Sequence, residues 1–133
     1  MRVLVASNIL ISAALNAKGT PYKAFLKAVT HPNKGVICDQ NIEEIRRIFN
    51  RKFPDKINAF EHFMSIALLA MEVVPTPKTE VESEEKIRDI TDRPILRAAV
   101  YAQADILLTG DKDFLEADVK VPKIVTATEF LEM

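Results

Sequence analysis

Glycine, cysteine and histidine are scarce in this chain of 133 residues, and each scarcity excludes a class of site. Because the only glycines are Gly19, Gly35 and Gly110, no glycine-rich loop for a dinucleotide or a nucleoside triphosphate can be built. The single cysteine, Cys38, excludes an internal disulfide, and one cysteine with two isolated histidines makes a structural zinc site improbable. Cys38 lies in an apolar run, so we expect a buried thiol and a reducing, cytoplasmic setting.

The chain also lacks long hydrophobic runs and an excess of charge of one sign. No apolar run approaches the roughly 18 residues that cross a bilayer, and the first residues read as a core strand, not as a signal peptide. The net charge is −1, whereas a nonspecific nucleic-acid binder would usually be basic. The chain would therefore need local basic patches or bound cations to approach phosphate. Its length fits one domain over residues 1–133.

Short apolar segments alternate with segments of helical periodicity along the whole chain. The pattern predicts strands at 2–6, 36–38, 73–74, 105–108 and 123–125. It predicts helices at 8–16, from 21 onward, through 42–49, and over 55–71 and 93–103, with a capping box at 126–129 for a short last helix. Residues 80–86 are acidic and are expected to form a solvated loop or the start of a helix. This alternation predicts an α/β fold with a mostly parallel sheet covered by helices on both faces.

Two acidic residues follow the fourth predicted strand. The strand ends at Leu108, and Gly110, which precedes Asp111 and Asp113, permits a sharp turn. Both carboxylates are therefore expected just past the carboxyl end of a strand, where open α/β sheets bind ligands. An acidic turn that only caps a short helix would have the same sequence, because Asp is common in turns.

Two further carboxylates are placed on predicted helices. Asp92 precedes Arg93 and Pro94, which is typical of an N-cap with proline in the first turn, and a cap residue can also face the crevice. Glu44 lies near the edge of the buried face of the helix after Cys38, and a plain surface glutamate is the alternative. Each of these signals is weak unless the fold brings the acids together.

Carboxylates that converge in one crevice would form a site of hard oxygen ligands. Such groups repel one another, and water-poor surroundings raise their pKa values, which a divalent cation relieves. Mg²⁺ and Mn²⁺ suit this ligand set and also bind phosphate oxygens. The combination predicts phosphodiester cleavage, and the cation would let a nearly neutral protein hold RNA.

Taken in order, these motifs resemble the PIN domain family, specifically the toxin component of a toxin–antitoxin pair (VapC-like), over almost the whole chain. Segment 5–12 resembles the family's first strand and helix start, and turn 109–113 matches its Thr-Gly-Asp-x-Asp pattern. Glu44 before Ile45 matches the family's second acid, and Asp92 before an alanine-containing helix matches the third. Segment 124–131 resembles the family's ending.

This resemblance implies a three-layer α/β/α fold and a Mg²⁺- or Mn²⁺-dependent endoribonuclease. It also implies homodimers, an RNA substrate and inhibition by a cognate antitoxin protein. Carried over by position, it implies that Asp92, Asp111 and Asp113 hold the metal and that Glu44 orients the attacking water or a second metal.

Polar and basic residues around these acids complete the expected site. Ser7, Asn8 and Thr109 are expected to hydrogen-bond the carboxylates and to fix their rotamers. Basic residues on the helix of Glu44 are candidates for binding RNA phosphate, and a solvated helix face is an equal alternative. These basic residues are Arg46, Arg47, Arg51 and Lys52.

Ala6 departs from the family pattern, which has its first metal-binding Asp at this position. A methyl group there removes one negative charge and its oxygen donors, so we expect weaker metal binding and impaired catalysis. Deliberate or selected inactivation of a harmful nuclease is one explanation. The other is a catalytically silent module that docks an antitoxin or RNA without turnover. The first is slightly favoured because the other family residues are intact, namely Ser7, Asn8, Asp92, Asp111 and Asp113.

Overall fold

Five parallel strands form the central sheet of the computed structural model, which describes residues 1–133. The strands are β1 Arg2–Val5, β2 Lys34–Cys38, β3 Met71–Val74, β4 Ile106–Leu108 and β5 Lys123–Val125. They are arranged in the order β3-β2-β1-β4-β5, and every neighbouring pair is parallel. This confirms the predicted parallel sheet.

Seven α-helices and three short 3₁₀ helices connect and follow the strands. The α-helices are α1 Ser7–Leu15, α2 Thr20–Val29, α3 Asp39–Lys52, α4 Ile57–Ala70, α5 Arg93–Tyr101, α6 Lys112–Leu115 and α7 Ala127–Leu131. The 3₁₀ helices are Pro54–Lys56, Glu82–Lys86 and Ile90–Asp92. None of the helices combines the length and the apolar character that crossing a membrane would require.

The sheet has a hydrophobic core on each face, as the three-layer prediction requires. Alternate side chains of a strand point to opposite faces, so Val3 and Val5 of β1 join one cluster of buried residues while Leu4 joins the other. The larger cluster is built with α1, α2, α3, α4 and α7, and the smaller one with α5 and α6. Because both faces are covered, the central strands are apolar over residues 3–5 of β1 and over all of β4.

The order of the strands creates a switch point beside β1. The chain passes from β1 to β2 and β3 on one side, and later to β4 and β5 on the other. In open parallel sheets, ligands bind outside the carboxyl ends of the strands at such a point. Here Val5 of β1 is in register with Leu108 of β4, and the Ala6 N–H donates to the Leu108 carbonyl at 2.9 Å. The residues after β1 and β4 therefore lie together.

Two element predictions differ from the structure for identifiable reasons. The helix predicted over 93–103 ends at Tyr101, because Gln103 adopts a left-handed φ of 57° that cannot continue a helix. The acidic segment 80–86, predicted as a solvated loop or the start of a helix, contains the 3₁₀ helix Glu82–Lys86, and its Glu84 is buried and not solvated. A charged residue is buried here because Arg97 of α5 pairs with it.

Candidate metal centre

A crevice of about 200 Å³ opens at the carboxyl ends of β1 and β4. Ala6 lines it and is only 3% exposed. Three of the predicted acids, Glu44, Asp92 and Asp111, also line it, although they come from α3, the start of α5 and the turn after β4. Apolar side chains such as Ile95 form part of its lining. The fold thus brings together acids that are far apart in the sequence.

Ala6 is the N-cap residue of α1, and its methyl side chain makes no cap hydrogen bond. Asp and Asn are preferred at such positions because a side-chain oxygen accepts a backbone N–H of the first turn. An Asp at position 6 could therefore serve both the helix and the crevice. Residue 6, where the sequence analysis expected the family's first acid, thus lies in the wall of the crevice as an alanine.

The turn after β4 is fixed by a network centred on Asn8. Its amide nitrogen donates to the Thr109 hydroxyl at 3.1 Å, and its amide oxygen accepts the Gly110 N–H at 2.9 Å. The Thr109 hydroxyl also accepts the Asp111 N–H, and the Asp111 carboxylate accepts the Asp113 N–H. Asn8 and Thr109 therefore hold the backbone of the turn. They were expected from the sequence to hydrogen-bond the carboxylates, and they do not. Asp111 also caps α6, the alternative role for an acid in this turn.

Beneath the crevice runs a buried chain of polar groups that the sequence did not reveal. Asn41 of α3 donates to the Ser7 hydroxyl at 2.9 Å and accepts from the Cys38 thiol at 3.1 Å. Ser7 thus binds an amide and not a carboxylate. All three side chains are buried, and burial raises the pKa of the Cys38 thiol. Cys38 is accordingly the inert, buried thiol that its sequence context indicates.

Asp92 is the most perturbed acid of the crevice. Its carboxylate makes no cap hydrogen bond to α5, contrary to the expected N-cap role, and it is half-buried. Burial, followed by the negative charges of Asp111, Asp89, Glu44 and Asp113, raises the pKa of Asp92 to about 7. Near neutral pH the crevice therefore carries a carboxylate that lacks a cationic partner, which is the condition that favours binding of a cation.

Asp89 and Arg88 extend the site beyond the residues selected from the sequence. One carboxylate oxygen from each of Asp89, Asp92 and Asp113 lies within 4.8 Å of the other two. The Arg88 guanidinium donates to Asp113 Oδ1 from Nε at 3.1 Å and from Nη2 at 2.7 Å. The spacing of Asp89 and Asp92 could have indicated Asp89 as a further acid of the site. Nothing in the sequence pairs Arg88 with Asp113, which is 25 positions away.

The donor atoms present fit a hard divalent cation. Asp92 belongs both to the crevice with Glu44 and Asp111 and to the oxygen cluster with Asp89 and Asp113. All the donors are carboxylate oxygens, the ligands that Mg²⁺ and Mn²⁺ prefer. Asp89 is partly engaged, because its Oδ1 accepts the Thr91 N–H and hydroxyl. Asp92, Asp111 and Asp113 retain oxygens that could hold a cation.

The predicted basic residues lie on the exposed side of α3, away from the crevice. Arg46, Arg47 and Arg51 line a recess of about 490 Å³, and Lys52 is exposed but does not line it. Arg46 also approaches Glu61 of α4 at 4.0 Å. The structure therefore groups three of the four basic residues without placing them against the acids.

The chain matches the model of the PIN domain family over residues 2–113. It resembles VapBC2 from Rickettsia felis, in a crystal structure bound to a DNA fragment from their promoter, with 15% identity and a TM-score of 0.72. That match covers 95% of this chain and 98% of the other. PAE2754 from Pyrobaculum aerophilum is similar at 16% identity and a TM-score of 0.59, over 99% of this chain and 94% of the other. No curated protein matches the chain in sequence.

Proposed function

This chain belongs to the PIN domain family, and from that premise we propose that it is the endoribonuclease toxin of a toxin–antitoxin pair that depends on Mg²⁺ or Mn²⁺. The observation that carries the proposal is the convergence of Glu44, Asp92 and Asp111 in one crevice at the switch point of the sheet, with Asp113 in the adjoining oxygen cluster. A cation held there would neutralise these carboxylates, bind an RNA phosphate oxygen and activate water.

Each residue has a role that its position supports. Asp92, Asp111 and Asp113 hold the cation, and Asp92 is best suited because its ionised form is otherwise disfavoured. Glu44, which lines the same crevice, would orient the attacking water or a second cation. Asn8 and Thr109 keep the turn that carries Asp111 in place.

Ala6 lowers the activity of this chain in the proposed function. Without an oxygen donor at the end of β1, the cation is bound less tightly and the water is placed less well. The same residue favours a second candidate function, in which the chain is a catalytically silent module that docks an antitoxin or RNA. Calorimetric binding of a basic antitoxin peptide that does not respond to Mg²⁺ would support this second candidate.

Partners and setting follow from the same proposal. VapBC2, which this fold resembles, is described as bound to a promoter DNA fragment. For this chain we propose a cognate antitoxin protein as partner, a homodimer as the assembly and the cytoplasm as the location. RNA phosphates would bind the basic recess formed by Arg46, Arg47 and Arg51, which gives an almost neutral protein a local cationic surface.

The first prediction tests the nuclease directly through Ala6→Asp. We expect this substitution to raise Mg²⁺- or Mn²⁺-dependent cleavage of RNA at least about tenfold, because it supplies the missing oxygen ligand. The rate of cleavage of one labelled RNA is compared for parent and variant, with metal or with chelator. Ala6→Asp combined with Asp111→Asn is the matched control and should return the rate to that of the parent. A well-folded Ala6→Asp chain that cleaves none of a varied set of RNAs would refute the nuclease proposal.

A further inference from the structure

A recess of about 610 Å³ lies directly beside the carboxylate crevice. Its walls come from α1, from the first residues of α2 and α7 and from the turn after β4. Asn8 and Asp111 line both the recess and the crevice, so a molecule bound in the recess could extend into the crevice and contact its carboxylates. Its volume is in the range of about 300–1,000 Å³ that is typical of sites for small organic groups.

Hydroxyl groups dominate the polar lining of this recess. They belong to Ser12, Thr20, Thr126 and Thr128. Thr126 is used within the fold, because its hydroxyl accepts the Glu129 N–H as the N-cap of α7. The hydroxyls of the other three make no hydrogen bond to another group of the chain. Since each hydroxyl can both donate and accept, together they suit a ligand that carries hydroxyl groups itself.

The charge of the recess argues against a phosphate and its composition argues against a stacked base. Asp111 is the only ionisable side chain of the lining, and no lysine or arginine accompanies it. An anion would therefore be repelled unless a cation were bound next to Asp111. No aromatic ring lines the recess, so the stacking surfaces that usually hold unpaired bases are missing. Of the three parts of a nucleotide, the neutral sugar therefore fits this recess better than the phosphate or the base.

We propose that this recess binds the ribose of the RNA nucleotide adjacent to the scissile phosphate and recognises its 2′-hydroxyl. A ribose held by Thr20, Thr128 and Ser12 would have its phosphate beside Asp111, at the entrance of the carboxylate crevice. The 2′-hydroxyl is the group that distinguishes RNA from DNA, and it donates and accepts as the threonine hydroxyls do. The recess thus makes the site selective for RNA. This inference rests on the proposed function, because it assigns the substrate of the same site.

The test removes the hydroxyls without changing the shape of the recess. Thr20→Val and Thr128→Val are combined in the parent chain, because valine and threonine have nearly the same volume. Thr79→Val is the matched control, since Thr79 is exposed in the segment between β3 and α5 and does not line the recess. The affinities for a short random-sequence RNA and for the DNA of the same sequence are measured by fluorescence anisotropy with Mg²⁺, and the RNA is checked for integrity afterwards.

We expect the double variant to bind RNA about threefold to tenfold more weakly, which is the loss of one or two neutral hydrogen bonds. Its affinity for DNA should be unchanged, and Thr79→Val should behave as the parent. In the parent, the backbone amide signals of Thr20 and Thr128 should shift in NMR spectra on addition of RNA and not of DNA, a readout that needs no variant.

Three outcomes would overturn the inference. They are an unchanged RNA affinity in the double variant, an equal loss for RNA and DNA, and a parent chain that does not prefer RNA. An unchanged RNA affinity would mean that the recess does not bind RNA, and a protein partner would then be its remaining occupant. Failure of the nuclease proposal is recognised separately, because it is decided by the absence of cleavage in the Ala6→Asp chain, whose recess is intact.

Discussion

At the scale of single residues, the candidate site consists of several carboxylates and one nearby cation, the Arg88 guanidinium. Asp92 is half-buried among other acids, and Asp113 is already paired with a cation of the chain itself, Arg88. Arg88 is exposed, with 72% of its side chain accessible, so it can leave Asp113 at little cost. A metal ion bound at Asp113, as proposed, would therefore compete with the Arg88 guanidinium for the same carboxylate.

Replacing Arg88 should strengthen metal binding. In the Ala6→Asp background, we expect Arg88→Gln to raise the affinity for Mn²⁺ about threefold to tenfold, because Asp113 Oδ1 loses two donated hydrogen bonds and a nearby positive charge. Isothermal titration calorimetry measures this affinity. Arg88→Lys is the control that keeps the charge without the two-nitrogen contact, and it should give an intermediate value. An affinity that is unchanged or lower in Arg88→Gln would show that the two cations do not compete.

Replacing Asp92 should change how stability depends on pH. Because the folded state raises the pKa of Asp92 to about 7 from its ordinary value near 3.8, the folded state binds this proton more tightly than the unfolded chain. The free energy of unfolding of the parent therefore falls as the pH rises from about 4 to about 7, and the loss is complete above that range. Asp92→Asn removes this loss, so its advantage in urea unfolding should be larger at about pH 8 than at about pH 5 in the presence of chelator.

If the free energies of unfolding of the parent and of Asp92→Asn differed by the same amount across that pH range, the pKa of Asp92 would not be raised by its burial. Glu132→Gln is a suitable control, because Glu132 is exposed near the end of the chain. Its difference from the parent should remain small and nearly independent of pH.

The sequence predicted some of these residues and not others, for a physical reason. The position of Asp111 followed from local signals, an apolar strand, a glycine and an acid. Arg88 and Asn41 lack such signals, because Arg88 contacts Asp113, which is 25 positions away, and Asn41 contacts Ser7, which is 34 positions away. The hydrogen bonds of Asn8 also depend on the turn 101 residues further along the chain. Only the fold determines which of these polar groups meet.

At the scale of elements, the segment between β3 and α5 positions half of the site. It carries Arg88, Asp89 and Asp92, and it is anchored by Glu84 of the 3₁₀ helix Glu82–Lys86. The Glu84 carboxylate accepts hydrogen bonds from Arg97 Nε at 2.9 Å and Nη2 at 2.8 Å, and from the Val81 N–H at 3.0 Å. An acid is buried only when a partner neutralises it, and the partner of Glu84 is Arg97 of α5. Because the segment itself does not reveal this partner, its sequence indicated a solvated acidic segment.

Removal of this anchor should destabilise the protein. Glu84 and Arg97 have only 4% and 13% of their side chains exposed, so Glu84→Ala leaves a buried guanidinium without its partner. We expect a loss of about 3 kcal/mol in the free energy of unfolding, measured with urea. Glu61→Ala is the matched control, because Glu61 and Arg46 form an exposed pair at 4.0 Å, and its effect should stay within about 0.5 kcal/mol. Equal losses for the two variants would exclude an anchoring role for Glu84.

At the scale of the whole molecule, the strand order creates the crevice. The alternation of strands and helices is a local property of the sequence, and it was enough to predict the parallel sheet and its two covered faces. The order of the strands, which places β4 beside β1, is a global property. That order brings the turn of Asp111 to the end of β1, so that Ala6 and Asp111 line the same crevice.

The most direct test of this account is a calorimetric titration of Mn²⁺ into the parent chain and into Ala6→Asp. If acids from distant parts of the chain form one cation site that lacks its ligand at position 6, Ala6→Asp should bind Mn²⁺ at least about tenfold more tightly. Ala6→Asn, which can cap α1 but adds no charge, should bind the ion as weakly as the parent does. Equal affinities for the parent and Ala6→Asp would contradict the account.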